Sequence, residues 1–161
     1  KVSETVQLIE DHEGSTIVFY QQTPERLMLE EALNKAGIPF YALHGGVKQE
    51  DRHALLKGFQ NKEKPVTLCQ QATGGIGVNM IAANLVIFFT NDPGWDRRAQ
   101  AEDRAHRNGQ DKSVTYVDLL STCKGCMTID HWIMKLLKEK KDAAGEVVMN
   151  QEDLLKFMEQ L

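Results

Sequence analysis

A chain of 161 residues with 42% apolar and 26% charged residues has the size and composition of one globular domain, which excludes a disordered segment. Its 19 basic and 23 acidic residues leave a net charge of −4, which excludes nucleic-acid binding by overall charge, so any such binding must be local. No apolar run nears the roughly 18 residues needed to cross a bilayer, residues 1–14 carry no apolar signal-peptide core, and three cysteines make no even disulfide framework, so the chain reads as soluble and intracellular.

In chain order, the β-branched and aromatic run TIVFY predicts a first strand. Thr23 follows as an N-cap and Pro24 as the first residue of a helix over 24–36, with Gly37 just past its end and Pro39 preventing continuation. The pattern repeats as strand FYAL, a turn at Gly45 and Gly46, helix QEDRHALLKGF and strand PVTLCQ. A glycine-rich turn TGGIG, strand LVIFFT, helix DRRAQAEDRAHR and strand VTYVDLL come next. Two helices close the chain, TIDHWIMKLLKEKK and NQEDLLKFMEQL, joined by a linker DAAGEVV. Near-continuous apolar strands alternating with helices predict a doubly wound α/β fold. Its sheet is mainly parallel, with helices on both faces, and residues 1–122 form the domain while 123–161 pack on it as a helical extension.

In such sheets ligands bind outside the carboxyl ends of the strands, so the loops YQQT, HGG, QATGGIGVN and NDPGWD are the places to search. In the helix after NDPGWD, Gln100, Arg104 and Arg107 fall at i, i+4 and i+7 on one face, which is expected to stand clear of the core, while Ala101 and Ala105 let the helix lie close on the sheet. Five basic and three acidic residues between Arg97 and Lys112 make the segment locally positive. Paired guanidinium groups suit a phosphate, and the competing account is a solvated helix with intrahelical Glu and Arg pairs. Gly74, Gly75 and Gly77 would let backbone N–H groups approach phosphate oxygens, but no glycine at position 80 completes a dinucleotide-binding G-x-G-x-x-G. Cys123 and Cys126 have the spacing of half a zinc site that His131 and Cys69 could complete, yet four ligands are normally needed, and a plain thiol-bearing loop is expected.

The segment QAEDRAHRNGQ resembles motif VI of the Swi/Snf-type branch of helicase superfamily 2, and TGGIGVN upstream resembles its motif V, in the order and spacing of that family. The resemblance runs from about Ser15 to Leu120 and implies a RecA-like C-terminal motor lobe. It implies that Arg104 and Arg107 are arginine fingers for ATP, that Gly75, Gly77, Asn79 and Gln100 line the ATP cleft, and that Gln22, Thr23, Gly46, Lys48, Thr73, Trp95 and Arg97 contact DNA. Trp95 equally suits a buried anchor. The chain departs from the family pattern at Gln71-Ala72-Thr73, His44-Gly45-Gly46 and Asn108.

No G-x-x-x-x-G-K-[ST] motif occurs and no Asp-Glu pair follows a strand, so the chain is not expected to grip Mg2+ and ATP by itself. By the resemblance it is half of an ATP hydrolase. The other half, an N-terminal RecA-like lobe of the same polypeptide, would hold most of the ATP and Mg2+, and the two lobes would translocate on double-stranded DNA. A non-catalytic docking module and a nicotinamide-binding enzyme are the alternatives. The lack of long insertions between motifs leads to the expectation of a small bacterial or viral motor in the cytoplasm, or a nuclear one in a eukaryote.

Overall fold

The computed structural model describes residues 1–72, 80–106 and 113–158, with the backbone alone over 144–158. Its elements are α1 (Val2–Glu10), β1 (Ser15–Tyr20), α2 (Thr23–Lys35), β2 (Phe40–Leu43), α3 (Gln49–Gln60), β3 (Val66–Gln70), β4 (Ala83–Phe88), α4 (Trp95–Ala105), β5 (Thr115–Asp118) and α5 (Ile129–Met158). The strands pair in the order β2-β3-β1-β4-β5, and every one of these pairings is parallel. β1 lies at the centre with all six residues buried, which explains why it reads as an unbroken apolar run instead of an alternating one.

Alternation still sorts its side chains to two faces. Val18 and Tyr20 join Ile9 of α1 and Leu29 and Leu33 of α2 in one cluster, whereas Ile17 and Phe19 join Leu56 and Phe59 of α3 and Ala101 and Ala105 of α4 in the other. The predicted doubly wound α/β fold is therefore present, with α1 and α2 packed on one face of the sheet and α3 and α4 on the other.

Helix α2 ends as its sequence predicts. Gly37 adopts φ 69°, its N–H bonds the Asn34 carbonyl at 3.1 Å, and the Ile38 N–H reaches Leu33 at 2.9 Å, which together close the last turn. Its start differs, because Thr23 is the first helical residue and Gln22 the N-cap. Glu25 lies three residues beyond Gln22, so its carboxylate reaches back to accept the N–H groups of Gln21 and Gln22 at 2.9 and 3.0 Å.

Two further differences concern the ends of the chain. α1 was not anticipated, although Val2, Val6 and Ile9 have helical spacing and pack on the cluster beneath α2. The two predicted terminal helices are one helix of 30 residues. The segment taken for a linker holds one glycine and no proline, and a single interior glycine costs a helix only about 1 kcal/mol.

Asp130, at the start of α5, ties three elements together. It pairs with Lys1 Nζ at 2.8 Å and accepts the Ser121 N–H at 2.7 Å. Partial burial pushes its carboxyl upward, but the bonds from Lys1 and Ser121 outweigh that and hold it below the ordinary value. A depressed carboxylate contributes stability that is fully present above the unfolded value and lost as pH falls through the folded one. Asp130→Asn should accordingly match the parent in strongly acidic thermal melts and fall below it above about pH 4. Equal melting temperatures across that range would remove the tie.

Candidate interlobe and nucleic-acid face

The parallel sheet brings the ends of β1, β2, β3 and β4 to a single edge, and the predicted site residues follow from it. After β1, Gln22 and Thr23 stand exposed at the start of α2. After β2, Gly46 and Lys48 are likewise exposed, with Lys48 the N-cap of α3. The Gly46 N–H donates to His44 Nδ1 at 3.2 Å. Arg52, one turn into α3, clamps this loop by donating to the carbonyls of Val47 at 2.8 Å, Gly45 at 3.2 Å and His44 at 3.3 Å. Arg52 was missed in the sequence, since nothing but its place four residues after Lys48 marks it.

A polar network stitches the carboxyl ends of β1, β3 and β4. Gln71 is buried and accepts through Oε1 from Gln21 Nε2 and from the Asp92 N–H, each at 3.1 Å, while its Nε2 donates to the Thr90 carbonyl at 3.4 Å. Glu25 adds the Thr90 hydroxyl at 2.9 Å to its two backbone bonds, and Gln70 Nε2 donates to the Gln21 carbonyl at 3.0 Å. Satisfying these buried groups mutually holds the three loops in register. At this point the family pattern would have had a different residue, and Gln71 is thus a structural departure with an evident role.

α4 is presented by the loop after β4. Asp92 accepts the Gly94 N–H at 2.7 Å and pairs with Arg97, whose side chain is otherwise largely exposed. Trp95, the first helical residue, is half-buried. Lys141 of α5 lies 5.8 Å from its ring centre, and the residue lines a cavity of about 500 Å³ with Met134, Leu137 and Lys138. Of the two accounts of Trp95, its packing against α5 favours the anchor.

The arginines of α4 divide in a way that periodicity does not show. Gln100 is exposed, but Arg104 is buried, so the face expected to stand clear of the core does so only in part. The Arg104 guanidinium lies 3.9 Å from Cys69 Sγ, and its carbonyl accepts the Met80 N–H at 2.9 Å. Burial pushes the Cys69 thiol up to about 11 even against the opposing influence of Arg104. α4 ends at Ala105; Arg107 and Asn108 lie outside the described residues, as do Thr73, Gly75, Gly77 and Asn79.

The charge that sequence reasoning overlooked is Arg98. It is buried, lies 3.5 Å above the Phe88 ring, donates to Asn91 Oδ1 at 2.6 Å and Glu102 at 2.6 Å, and grips both carboxylate oxygens of Asp118. Its guanidinium thereby clamps α4 to the ends of β4 and β5. Burial would lower its proton affinity, but Asp118 and Glu102 raise it overall. The Arg98–Glu102 pair at i, i+4 was the available signal.

Comparison with known proteins identifies the family and the fold. The family described as "Helicase conserved C-terminal domain" matches residues 1–109. The chain is 36% identical over 133 residues to the chromatin-remodeling ATPase INO80 of Mycosarcoma maydis, covering 82% of this chain and 7% of that protein. It is 38% identical over 106 residues to helicase swr1 of Schizosaccharomyces pombe, covering 65% and 8%. The solved C-terminal part of the Fun30 ATPase domain superposes with a TM-score of 0.76 at 28% identity, over 84% of this chain and 44% of that one. The chain thus spans less than a tenth of the length of these curated relatives. Both are eukaryotic proteins, which lends no support to a bacterial or viral source.

Proposed function

This chain belongs to the helicase C-terminal domain family as a RecA-like lobe of the SWI/SNF-type ATPases, and from that premise we propose that it serves as the second lobe of a DNA-dependent ATP hydrolase translocating on double-stranded DNA. ATP is held between this lobe and a preceding RecA-like lobe of the same polypeptide. Arg104 and Arg107 present guanidinium groups to the transferring phosphate, and Gly75, Gly77, Asn79 and Gln100 border it. The observation that carries this is the seat of Arg104. Its guanidinium is seated 3.9 Å from Cys69 Sγ near the end of β3, and its carbonyl accepts the Met80 N–H, immediately after the glycine-rich segment. A guanidinium held in that way loses little entropy when it meets a phosphate oxygen.

The donor set suits the phosphates rather than the metal. Among the described residues no three His, Cys, Asp or Glu side chains gather as ligands, and Asp92 is engaged by Arg97, so we assign the Mg2+ ligands to the preceding lobe. Mg2+ there would neutralise charge on the phosphates during transfer. The relative named a chromatin-remodeling ATPase makes chromosomal DNA in a nucleus our assignment for the duplex.

DNA is held through its phosphates by the exposed loops. Gln22, Thr23 and Gly46 offer backbone and side-chain donors at helix starts, and Lys48 and Arg97 offer charge; Thr73 is assigned to the same role by the resemblance alone. Phosphate contacts make binding salt-dependent and indifferent to sequence. Lys48→Ala and Arg97→Ala should each weaken binding to unrelated duplexes alike and reduce the salt slope by about 1. Titrations over a range of salt check this, and a sharp preference for one base sequence would count against it. A steady-state ATPase assay on the chain alone should show no DNA-stimulated turnover; measurable turnover would place the phosphate grip on this lobe.

A further inference from the structure

We propose that Cys123 and Cys126 form a surface dithiol–disulfide exchange site that accepts oxidising equivalents from a low-molecular-weight disulfide such as oxidised glutathione. The two cysteines are exposed and unbridged, and they face each other as an isolated antiparallel pair. The Cys126 N–H bonds the Cys123 carbonyl at 3.4 Å, with Lys124 and Gly125 as the intervening turn. Hydrogen-bonded antiparallel partners have Cα atoms about 5.5 Å apart, inside the window of about 4.4 to 6.8 Å that a disulfide spans without backbone movement. Both sulfurs turn to one side of the hairpin, at 3.9 and 3.7 Å from the Lys124 carbonyl oxygen. Gly125 adopts φ 74°, a conformation that other residues take up only with strain, so this turn is built to bring the flanking thiols together.

The surroundings favour exchange over metal binding. His131, the nearest candidate third ligand in sequence, is engaged through Nδ1 with Thr128 Oγ1 at 2.6 Å, and Cys69 is buried in the sheet. The loop is pinned outside the hairpin, by the Ser121 N–H to Asp130 at 2.7 Å and by the Thr128 hydroxyl to the Ser121 carbonyl at 2.9 Å. Closing the hairpin therefore demands no displacement of α5.

The chemistry balances with the named co-reactant. Hydrogen bonding with Cys126 raises Cys123 above the ordinary thiol value, and the attacking group in such exchange is the thiolate, Cys126 in the sequence we propose. Cys126 Sγ bonds to one glutathione sulfur, the glutathione S–S bond breaks, and one glutathione leaves as thiolate and takes a proton. Cys123, deprotonated in turn, then attacks Cys126 Sγ, forms the intramolecular bond and expels the second glutathione. Two protein thiols are oxidised, one glutathione disulfide is reduced to two thiols, and no other reagent is consumed.

The test equilibrates the full chain with glutathione at graded ratios of oxidised to reduced form, quenches with an alkylating agent, and reads the adducts by peptide mass spectrometry. The expected product lacks two hydrogens, protects Cys123 and Cys126 from alkylation, and leaves Cys69 reduced because its thiol is buried. Cys123→Ser should convert this product into a persistent glutathione adduct on Cys126, and a thiol reductant should reverse both. Circular dichroism of the variant confirms an intact fold. Wild-type chain that stops at the mixed disulfide, or that remains fully alkylated at both positions in excess oxidised glutathione, overturns the proposal.

Discussion

Replacing Arg107 with lysine in a protein carrying both lobes should lower DNA-stimulated ATP turnover nearly as far as replacing it with alanine. The loss should lie within the range of about 10³ to 10⁵ that arginine fingers contribute to phosphoryl transfer. Lysine keeps the charge but not the planar fork that reaches two phosphate oxygens at once. A surface arginine would instead change stability by less than about 1 kcal/mol and leave turnover intact, so the two accounts are far apart. Arg104→Lys should behave like Arg107→Lys in turnover, with an added loss of thermal stability, because Arg104 is buried beside Cys69. Duplex affinity should hold in every variant, since the DNA contacts are assigned to other residues. Turnover, melting temperature and duplex affinity measured on the same preparations decide the matter. Near-normal turnover in both lysine variants would remove the pair from the ATP site.

The second large effect concerns stability. Arg98→Ala should destabilise the fold by about 3 to 5 kcal/mol, the usual cost of removing one partner from a buried ion pair. The variant leaves Asp118 and Glu102 without their counter-charge, Asn91 Oδ1 without its donor, and the Phe88 ring without the guanidinium above it. Replacing the pair together, as Arg98→Leu with Asp118→Asn, should recover a large part of the loss, because a desolvated but unpaired carboxylate is what the single variant creates. Denaturant midpoints of the three proteins provide the check. A single-variant loss below about 1 kcal/mol would make Arg98 equivalent to an exposed pair.

Much of the fold was legible because local chemistry and tertiary demand agree along this chain. The run TIVFY is buried on both faces, as an uninterrupted apolar strand requires, and Gly37 closes α2 in the conformation that glycine alone adopts cheaply. The edge of the sheet to which the candidate site is assigned followed from the alternation of strands and helices, since parallel strands deliver all their outgoing loops to one side. The α4 pattern was legible for its alanines, which lie against the sheet with Ala101 and Ala105 buried. The resemblance to the Swi/Snf-type family, carried by TGGIGVN and QAEDRAHRNGQ, likewise came from the sequence and is matched by the family over residues 1–109.

What only the tertiary structure decided is which charged groups are buried and against what. Helical spacing places Gln100 and Arg104 on one face, yet Gln100 is exposed while Arg104 sits under the helix end beside a thiol 35 positions earlier. Arg98 was not singled out by the sequence, and it becomes the clamp of α4 because β5 brings Asp118 beneath it. Gln71 joins three loops because the strand order sets β3 and β4 on either side of β1. The physical reason is common to all three. Periodicity records which side chains share a face, whereas burying a charge or an amide depends on partners supplied by remote strands, and their placement is a property of the sheet's topology.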